Sequence, residues 1–304
     1  MLAIVIPYYK YTFFDATLLS LSTQTDKRFK VYIGNDASSE NPLDVLEKYK
    51  AVVNFVYKRF ETNLGGKSLV KQWERCIDMV ADEEWIMILG DDDTIADNCV
   101  ACFYLHLAEV EQQKINVIRY ATVVIDQNDT ELSIVHTHPK YEKSVDFLMR
   151  KFKGGTRSSL SEFIFKKKVL QNVGFKDLPL AWYSDLLAVL EVSFFSSIYT
   201  INEAVVCFRW SGINITSKGD NMILKNIATF KFHYYLLNIK SKFFNREERN
   251  VLMLILEKTF LDNKKSITFW VLFTKLYLSN FYFKNYYIFI GKMVKTILKN
   301  IKNT

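Results

Sequence analysis

The segment Trp85-Ile-Met-Ile-Leu-Gly-Asp-Asp-Asp-Thr-Ile95 sets three consecutive carboxylates directly after an apolar run. Adjacent like charges repel, and one or two acids suffice to favour a following helix N-terminus. Three in a row, after Gly90 at a strand end, suit a hard divalent cation, Mn²⁺ or Mg²⁺. Such an ion takes carboxylate oxygens and keeps coordination sites open for substrate phosphates. Asn35-Asp36 is a second polar pair after an apolar strand. Both residue types also favour plain turns, but a carboxylate there can accept hydrogen bonds from a nucleobase N–H or a ribose hydroxyl.

Other signals fail on their own terms. Gly66-Lys67-Ser68 looks like the end of a triphosphate-binding loop, but the glycine required five residues earlier is Glu61. His136, His138 and His233 lack the partners a metal site needs, and a lone histidine is more often structural. The cysteines Cys76, Cys99, Cys102 and Cys207 form neither a disulfide framework nor a paired zinc motif, which fits a reducing cytosol. The N-terminal run has no basic flank and is interrupted by Pro7, so no signal peptide is expected. Nor does any uncharged apolar stretch approach the ~18 residues of a membrane span.

The elements that must position these residues alternate. Leu2–Ile6, Phe29–Ile33, Val52–Tyr57 and Trp85–Leu89 read as strands. Residues 13–25, the stretch opened by Pro42, and Ser68–Val80 read as helices. Alternation with short connections predicts an α/β fold: a mostly parallel, Rossmann-like sheet flanked by helices. Ligands of such sheets sit beyond the carboxyl ends of the strands. Pro7-Tyr-Tyr, Asn35-Asp36 and Asp91–Asp93 all follow strands, so three polar clusters are expected on one rim. Further on, Asn116–Ile125, Leu132–His136, Ser159–Phe165, Ile198–Ile201 and Val205–Trp210 read as strands. Lys166–Asn172 and Ser184–Ser196 read as helices, and from about 222 the chain is helical. The expected division is a catalytic domain over 1–220, with a nucleotide-sugar half (1–115) and an acceptor half (116–220), and a helical extension over 221–304.

Four of these stretches, in order, resemble family 2 glycosyltransferases of the GT-A fold. Ile4-Val-Ile-Pro-Tyr-Tyr9 is similar to the family's opening strand and turn, and Phe29-Lys-Val-Tyr-Ile-Gly-Asn-Asp-Ala-Ser38 to its second strand with an Asp-Asp-Gly-Ser turn. Asn63-Leu-Gly-Gly66 is similar to its Asn-x-Gly segment, and Leu89-Gly-Asp-Asp-Asp93 to its DxD element. Together they are specific over residues 1 to about 125. The resemblance implies that Pro7 and Tyr8 line a base pocket and that Asp36 meets the uracil edge of a UDP-sugar. It implies that Asp91 faces ribose or sugar and that Asp92 binds the metal, with Asp93, at a more variable position of the family, as a second ligand. Lys67 and Lys71 would be diphosphate contacts. The family's general base starts a helix in the second half of the domain. Leu178-Pro-Leu-Ala-Trp-Tyr-Ser-Asp185 provides it here, with Ser184 where the family often has Glu. Asp185 would take the acceptor proton in an inverting transfer; the plainer reading is an N-terminal helix charge. Trp182, Arg209 and Trp210 would flank the acceptor.

The resemblance further implies a glycan or lipid-linked acceptor and a setting in bacterial capsule, O-antigen or exopolysaccharide synthesis. Two other classes compete. A sugar nucleotidyltransferase would usually carry a Gly-rich phosphate loop where this chain has Pro7-Tyr-Tyr-Lys-Tyr, and a non-catalytic nucleotide-sugar or cation-binding module would not need Asp185. Charge is uneven: residues 221–304 hold fifteen Lys/Arg against four Asp/Glu, whereas the whole chain is +7. Lys292, Lys295, Lys299 and Lys302 recur on one helical face, after the aromatic stretch Phe269–Tyr287. That pattern predicts either a peripheral contact of 266–304 with the anionic inner face of the cytoplasmic membrane or a solvated face of a helical subdomain. No nucleic-acid module is recognisable.

Overall fold

The computed structural model describes residues 1–212, 214, 219, 221–263, 266–279, 286–291 and 294–295. The chain divides into two compact units, Met1–Asn221 and Met222–Thr304. The first unit opens with β1 (Leu2–Tyr8), α1 (Phe14–Ser22), β2 (Phe29–Asn35), α2 (Leu43–Tyr49), β3 (Phe55–Arg59), α3 (Leu69–Ile77) and β4 (Trp85–Ile88). β1 pairs in parallel with β2 and with β4, and β2 pairs in parallel with β3. Almost every residue of β1 and β4 is buried, as expected of central parallel strands covered on both faces. The register opposes Tyr8 to Asn35 and Val5 to Ile88. β1 and β2 therefore end level, β4 stops three residues earlier, and the loop that follows it brings Asp91 to the same rim, where it meets Tyr9 N.

The rest of the unit contains β5 (Thr94–Ile95), α4 (Cys99–Gln112), β6 (Val117–Ile125), β7 (Tyr141–Lys143), α5 (Ser144–Phe152), β8 (Phe163–Lys166), α6 (Lys167–Val173), α7 (Ser184–Val192) and β9 (Ser197–Arg209). The strand order is β3-β2-β1-β4-β8-β6-β9-β5, with β7 also on β9. β8 runs antiparallel between β4 and β6, while β9 returns parallel to β6. The sheet is therefore mixed, parallel in its first half and interrupted by β8 in its second. An ion network ties this second half together. Arg119, fully buried, donates to Glu142 Oε2 at 2.9 Å and to Thr200 Oγ1 at 2.8 Å, and Arg150 meets the same Glu142 oxygen at 2.8 Å. One carboxylate thus fixes α5 against β6, β7 and β9.

Several elements differ from the sequence expectation. The third strand starts at Phe55, because Val52 and Val53 donate to Tyr49 O and finish the preceding helix turn. Leu132–His136 makes only isolated bridges to β6. The two expected terminal strands are one, β9, whose register slips between Tyr120 and Ala121 of its partner β6. Ser159–Glu162 is not strand but a tight turn closed by reciprocal Ser159 and Glu162 hydrogen bonds. The helices α4 and α5 had no counterpart in the sequence reading.

In the second unit, α8 (Met222–Ile239), α9 (Arg246–Asp262) and α10 (Ile267–Ser279) pack through stacked rings: Phe230 on Phe269 at 4.1 Å and Phe260 on Phe273 at 4.5 Å. Asn245 caps α9 in a reciprocal bond with Glu248. Among the described residues no helix is long and apolar enough to cross a membrane. Of the four lysines read as a basic tail face, Lys292, Lys299 and Lys302 lie outside the described residues.

Gly34 illustrates how tightly the rim is built. A Cβ there would lie 2.3 Å from Cys76 Sγ and 2.9 Å from the Phe60 ring. Gly34→Ala should therefore destabilise the first unit by about 1–3 kcal/mol through overpacking, read as a lowered midpoint in urea.

Candidate active site

The acidic loop lies between the ends of β4 and β5, and its three carboxylates are not equivalent. Asp91 Oδ2 accepts from the backbone N–H groups of Tyr9 and Lys10, both at 2.7 Å, which clamps the turn after β1. Asp93 is buried at 3% exposure. Its Oδ2 accepts from Ser161 Oγ at 2.5 Å and its Oδ1 from Arg209 N at 2.9 Å. Asp92 lies partly buried between them, and its carboxylate has no hydrogen-bond partner among the described residues. Burial raises the pKa of all three, and for Asp92 the repulsion of Asp93 and Asp91 raises it well above the carboxylate range.

This asymmetry tests the site against a divalent cation. The donors are hard oxygens, and one desolvated carboxylate, Asp92, has no hydrogen bond among the described residues and only the charges of Lys10 and Arg209 to oppose the repulsion of its neighbours. The set fits a cation held by Asp92, with the remaining ligands from diphosphate oxygens and water. It does not fit a cage made by protein alone: among the described residues no group of three or more His, Cys, Asp or Glu could hold a metal ion. The expectation that Asp93 is a second ligand needs correction, because both its oxygens hold the loop in place.

Arg209 also departs from expectation. It is 1% exposed, too buried to line an acceptor wall. Its Nε donates to Asp92 O at 2.8 Å, Nη1 to Asp126 O at 2.8 Å and Nη2 to Asp129 Oδ1 at 2.6 Å, over the Phe13 ring. The guanidinium locks the acidic loop to the end of β9. Trp210, next in sequence, is 45% exposed.

Asp36, 4% exposed, has a different duty from an open uracil edge. It accepts from Leu64 N at 2.7 Å and Gly65 N at 2.8 Å, and it pairs with Arg75. Gly65 is required: a Cβ would lie 2.5 Å from Asp36 Oδ2. Arg75 lies over the Phe60 ring at 3.9 Å. The sequence reading missed Arg75, since its helical position carries no motif. Tyr8 is fully buried and donates its hydroxyl to Glu40 O, whereas Pro7 is partly exposed on the same rim. Lys67 and Lys71 are exposed around the start of α3, which Ser68 caps through Lys71 N.

Asp185 lies in the first turn of α7, partly buried. Burial raises its pKa, opposed chiefly by the Lys151 ammonium and by backbone N–H groups of the helix start. The approach to it is strained: Leu180, Ala181 and Tyr183 hold φ of 60°, 52° and 70°, a left-handed region costing non-glycine residues about 1–3 kcal/mol each. Ser184, where the resemblance led one to look for Glu, is buried and donates to Lys176 O at 2.6 Å, pinning that approach. Trp182 packs against Tyr183 and is partly buried. Of the three histidines, His138 contacts Arg150 and His233 contacts the Thr229 carbonyl, both within packed surroundings.

A Rossmann-like sheet with an acidic loop at the centre of its rim and a carboxylate opening a helix in its second half defines a group-transfer enzyme of GT-A type. Residues 3–180 match the profile of Glycosyl transferase family 2, and the chain belongs to that family; it is a glycosyltransferase. No curated protein sequence matches it. Solved structures share its fold. S. aureus TarS 1-349 in complex with UDP-GlcNAc superimposes with a TM-score of 0.64 at 18% identity, over 85% of this chain and 72% of that one. The complex of the same fragment with UDP gives 0.60 at 17% identity, over 85% and 71%. A further S. aureus TarS structure gives 0.59 at 16% identity, over 85% and 43%.

Asp92 carries a desolvated charge beside two others, so without ligands it opposes folding at neutral pH. Asp92→Asn should raise the melting temperature of the ligand-free protein by about 2–4 °C, the equivalent of ~1 kcal/mol for a unit of this size. The same change should abolish any stabilisation by Mn²⁺ with UDP. Calorimetry with and without these ligands reads both effects.

Proposed function

We propose that the chain is an inverting glycosyltransferase that uses a UDP-sugar, with Asp185 as general base. The observation that carries this reading is the contrast among the rim carboxylates. Asp36, Asp91 and Asp93 are engaged in holding loops, whereas Asp92 and Asp185, whose pKa values burial raises, take no hydrogen bond from another side chain among the described residues. Unengaged, desolvated carboxylates on a ligand-binding rim are candidates for chemistry. The UDP and UDP-GlcNAc held by TarS support uridine diphosphate as the donor's nucleotide.

In this reading Pro7 lines the base pocket, and Tyr8, fully buried beneath it, supports that turn. Asp36 acts on the nucleotide by positioning Arg75 and the loop at Leu64–Gly65. The remaining oxygen of Asp91 faces ribose or sugar, and Lys67 and Lys71 approach the diphosphate from the start of α3. A divalent cation on Asp92 would neutralise charge developing on the leaving diphosphate. Asp185 takes the proton of the acceptor hydroxyl as its oxygen attacks the anomeric carbon from the face opposite the diphosphate. The bond to the diphosphate breaks and the configuration inverts. Trp182 and Trp210 flank the acceptor, a glycan or lipid-linked sugar in bacterial surface-polysaccharide assembly. Ile267 and Val271 of α10, 80% and 61% exposed, together with the basic balance of the second unit, support a peripheral contact with an anionic membrane. Co-sedimentation with anionic vesicles should weaken in Val271→Asp.

Asp185→Asn should retain UDP and metal binding while transfer falls by ~10²–10⁴-fold; full transfer by this variant removes the base assignment. Because a base works ionised and burial raises this carboxyl's pKa, transfer should decline as pH falls through a value above the ordinary carboxylate range. A kcat/KM profile against pH reads that limb. A thermal-shift panel of nucleotide sugars, with and without Mn²⁺, tests the donor: a metal-dependent shift confined to UDP-sugars is expected.

A further inference from the structure

Arg75, Arg119, Arg150 and Arg209 each bring a guanidinium against a carboxylate. Arg157 does not. It stands on the connection between α5 and β8, its side chain 18% exposed, and its guanidinium makes no hydrogen bond among the described residues. Its nearest carboxylate oxygen, Glu162 Oε2, is 3.9 Å from Nη1, and Nη1 is itself buried without an acceptor. The guanidinium lies on the Phe208 ring, 4.4 Å from its centre, so its plane is fixed while its donors go unused.

Lys151, in the last turn of α5, is a second cation of the same kind. It is partly buried and its ammonium has no hydrogen-bond partner among the described residues. Burial lowers its pKa, the Asp185 and Glu162 charges oppose that, and the Arg157 charge lowers it further. Two cations close enough to repel, mostly withdrawn from water and without acceptors, are costly unless something answers them. Glu162 is a weak answer. Its Oε2 already accepts from Ser159 N at 2.9 Å and Ser159 Oγ at 3.2 Å, its Oε1 is buried without a hydrogen bond, and it answers the charges of Arg157, Arg119 and Lys151 together from a distance. The two cations also act on the catalytic groups, Lys151 and Arg157 on Asp185, and Arg157 on Asp93. They therefore stand within electrostatic reach of both the base and the acidic loop.

We propose that Lys151 and Arg157 together bind a phosphate group beside Asp185. A planar guanidinium fork matches two phosphate oxygens, and an ammonium supplies a point charge to a third. The phosphate belongs either to the leaving diphosphate of the donor or to an anionic acceptor. This inference rests on the donor reading above and adds to it a binding pair from the second half of the sheet. If the pair only balanced Glu162 and Asp185, its loss would change stability and leave phosphate recognition intact.

The test compares wild type, Arg157→Gln, Arg157→Lys and Lys151→Gln by calorimetric titration with UDP, with uridine, and with inorganic phosphate added to UDP-saturated protein. If the donor supplies the phosphate, UDP affinity falls by about ten- to a hundredfold in the Gln variants while uridine affinity holds. If the acceptor does, UDP affinity holds, and inorganic phosphate binds the saturated wild type but not the Gln variants. Arg157→Lys keeps a charge beside Glu162 and loses the fork; it should show an intermediate loss, and it carries the comparison if Arg157→Gln unfolds. Unchanged affinities for both UDP and phosphate overturn the inference and leave the donor reading standing. Failure of UDP to bind the wild type overturns both.

Discussion

The buried carboxylate of Asp93 is the interaction on which the site depends. Its two oxygens take hydrogen bonds from Ser161, just before β8, and from the backbone of Arg209, at the end of β9, while its own carbonyl accepts from Thr17 on α1. Ser161 Oγ in turn accepts from Gly90 N. Four segments distant in sequence thus meet at one residue. Hydrogen bonds to a charged group are worth about 1.5–3 kcal/mol each, enough to hold an acidic loop against its own repulsion. Arg209 adds a positive charge and a bond to the Asp92 carbonyl from the same side.

Around this tie the charged groups fall into two populations. Asp36, Asp91, Asp93, Glu142, Arg75, Arg119 and Arg209 are hydrogen-bonded and determine where loops and strands sit. Asp92, Lys151 and Arg157 are withdrawn from water with no hydrogen bond to their charged groups among the described residues, and Asp185 is met only by backbone N–H groups of its own helix start. The first set, together with a strained approach to α7, fixes the backbone around the second. A site arranged in this way is preorganised for charge that arrives with a ligand.

Much of the first half of the fold was legible in the sequence. Apolar runs ended by Pro7, Gly34-Asn35-Asp36 and Gly90 gave β1, β2 and β4 with their rim residues, since a strand buried on both faces leaves a strong local pattern. Legibility declined after residue 115. The antiparallel insertion of β8, the single long β9 and the missing ladder at Leu132–His136 are settled by which strand finds which neighbour, and local pattern carries no such information. Arg75, Ser161, Lys151 and Arg157 escaped notice for a related reason: single polar residues on helices and connections acquire a role only from what packs beside them.

The sequence by itself determined the family's signature, the order of the rim clusters and the presence of a carboxylate opening a helix, because all of these are local and carried by residue type. It could not apportion duties among Asp91, Asp92 and Asp93, which are chemically identical neighbours. Only the tertiary structure did so, by bringing Tyr9 and Lys10 to the first and Ser161 and Arg209 to the third, while among the described residues no donor reaches the carboxylate of the second. Which carboxylate remains available for a cation depends on which donors the fold delivers across tens of residues, and hydrogen-bond saturation has no signature in sequence.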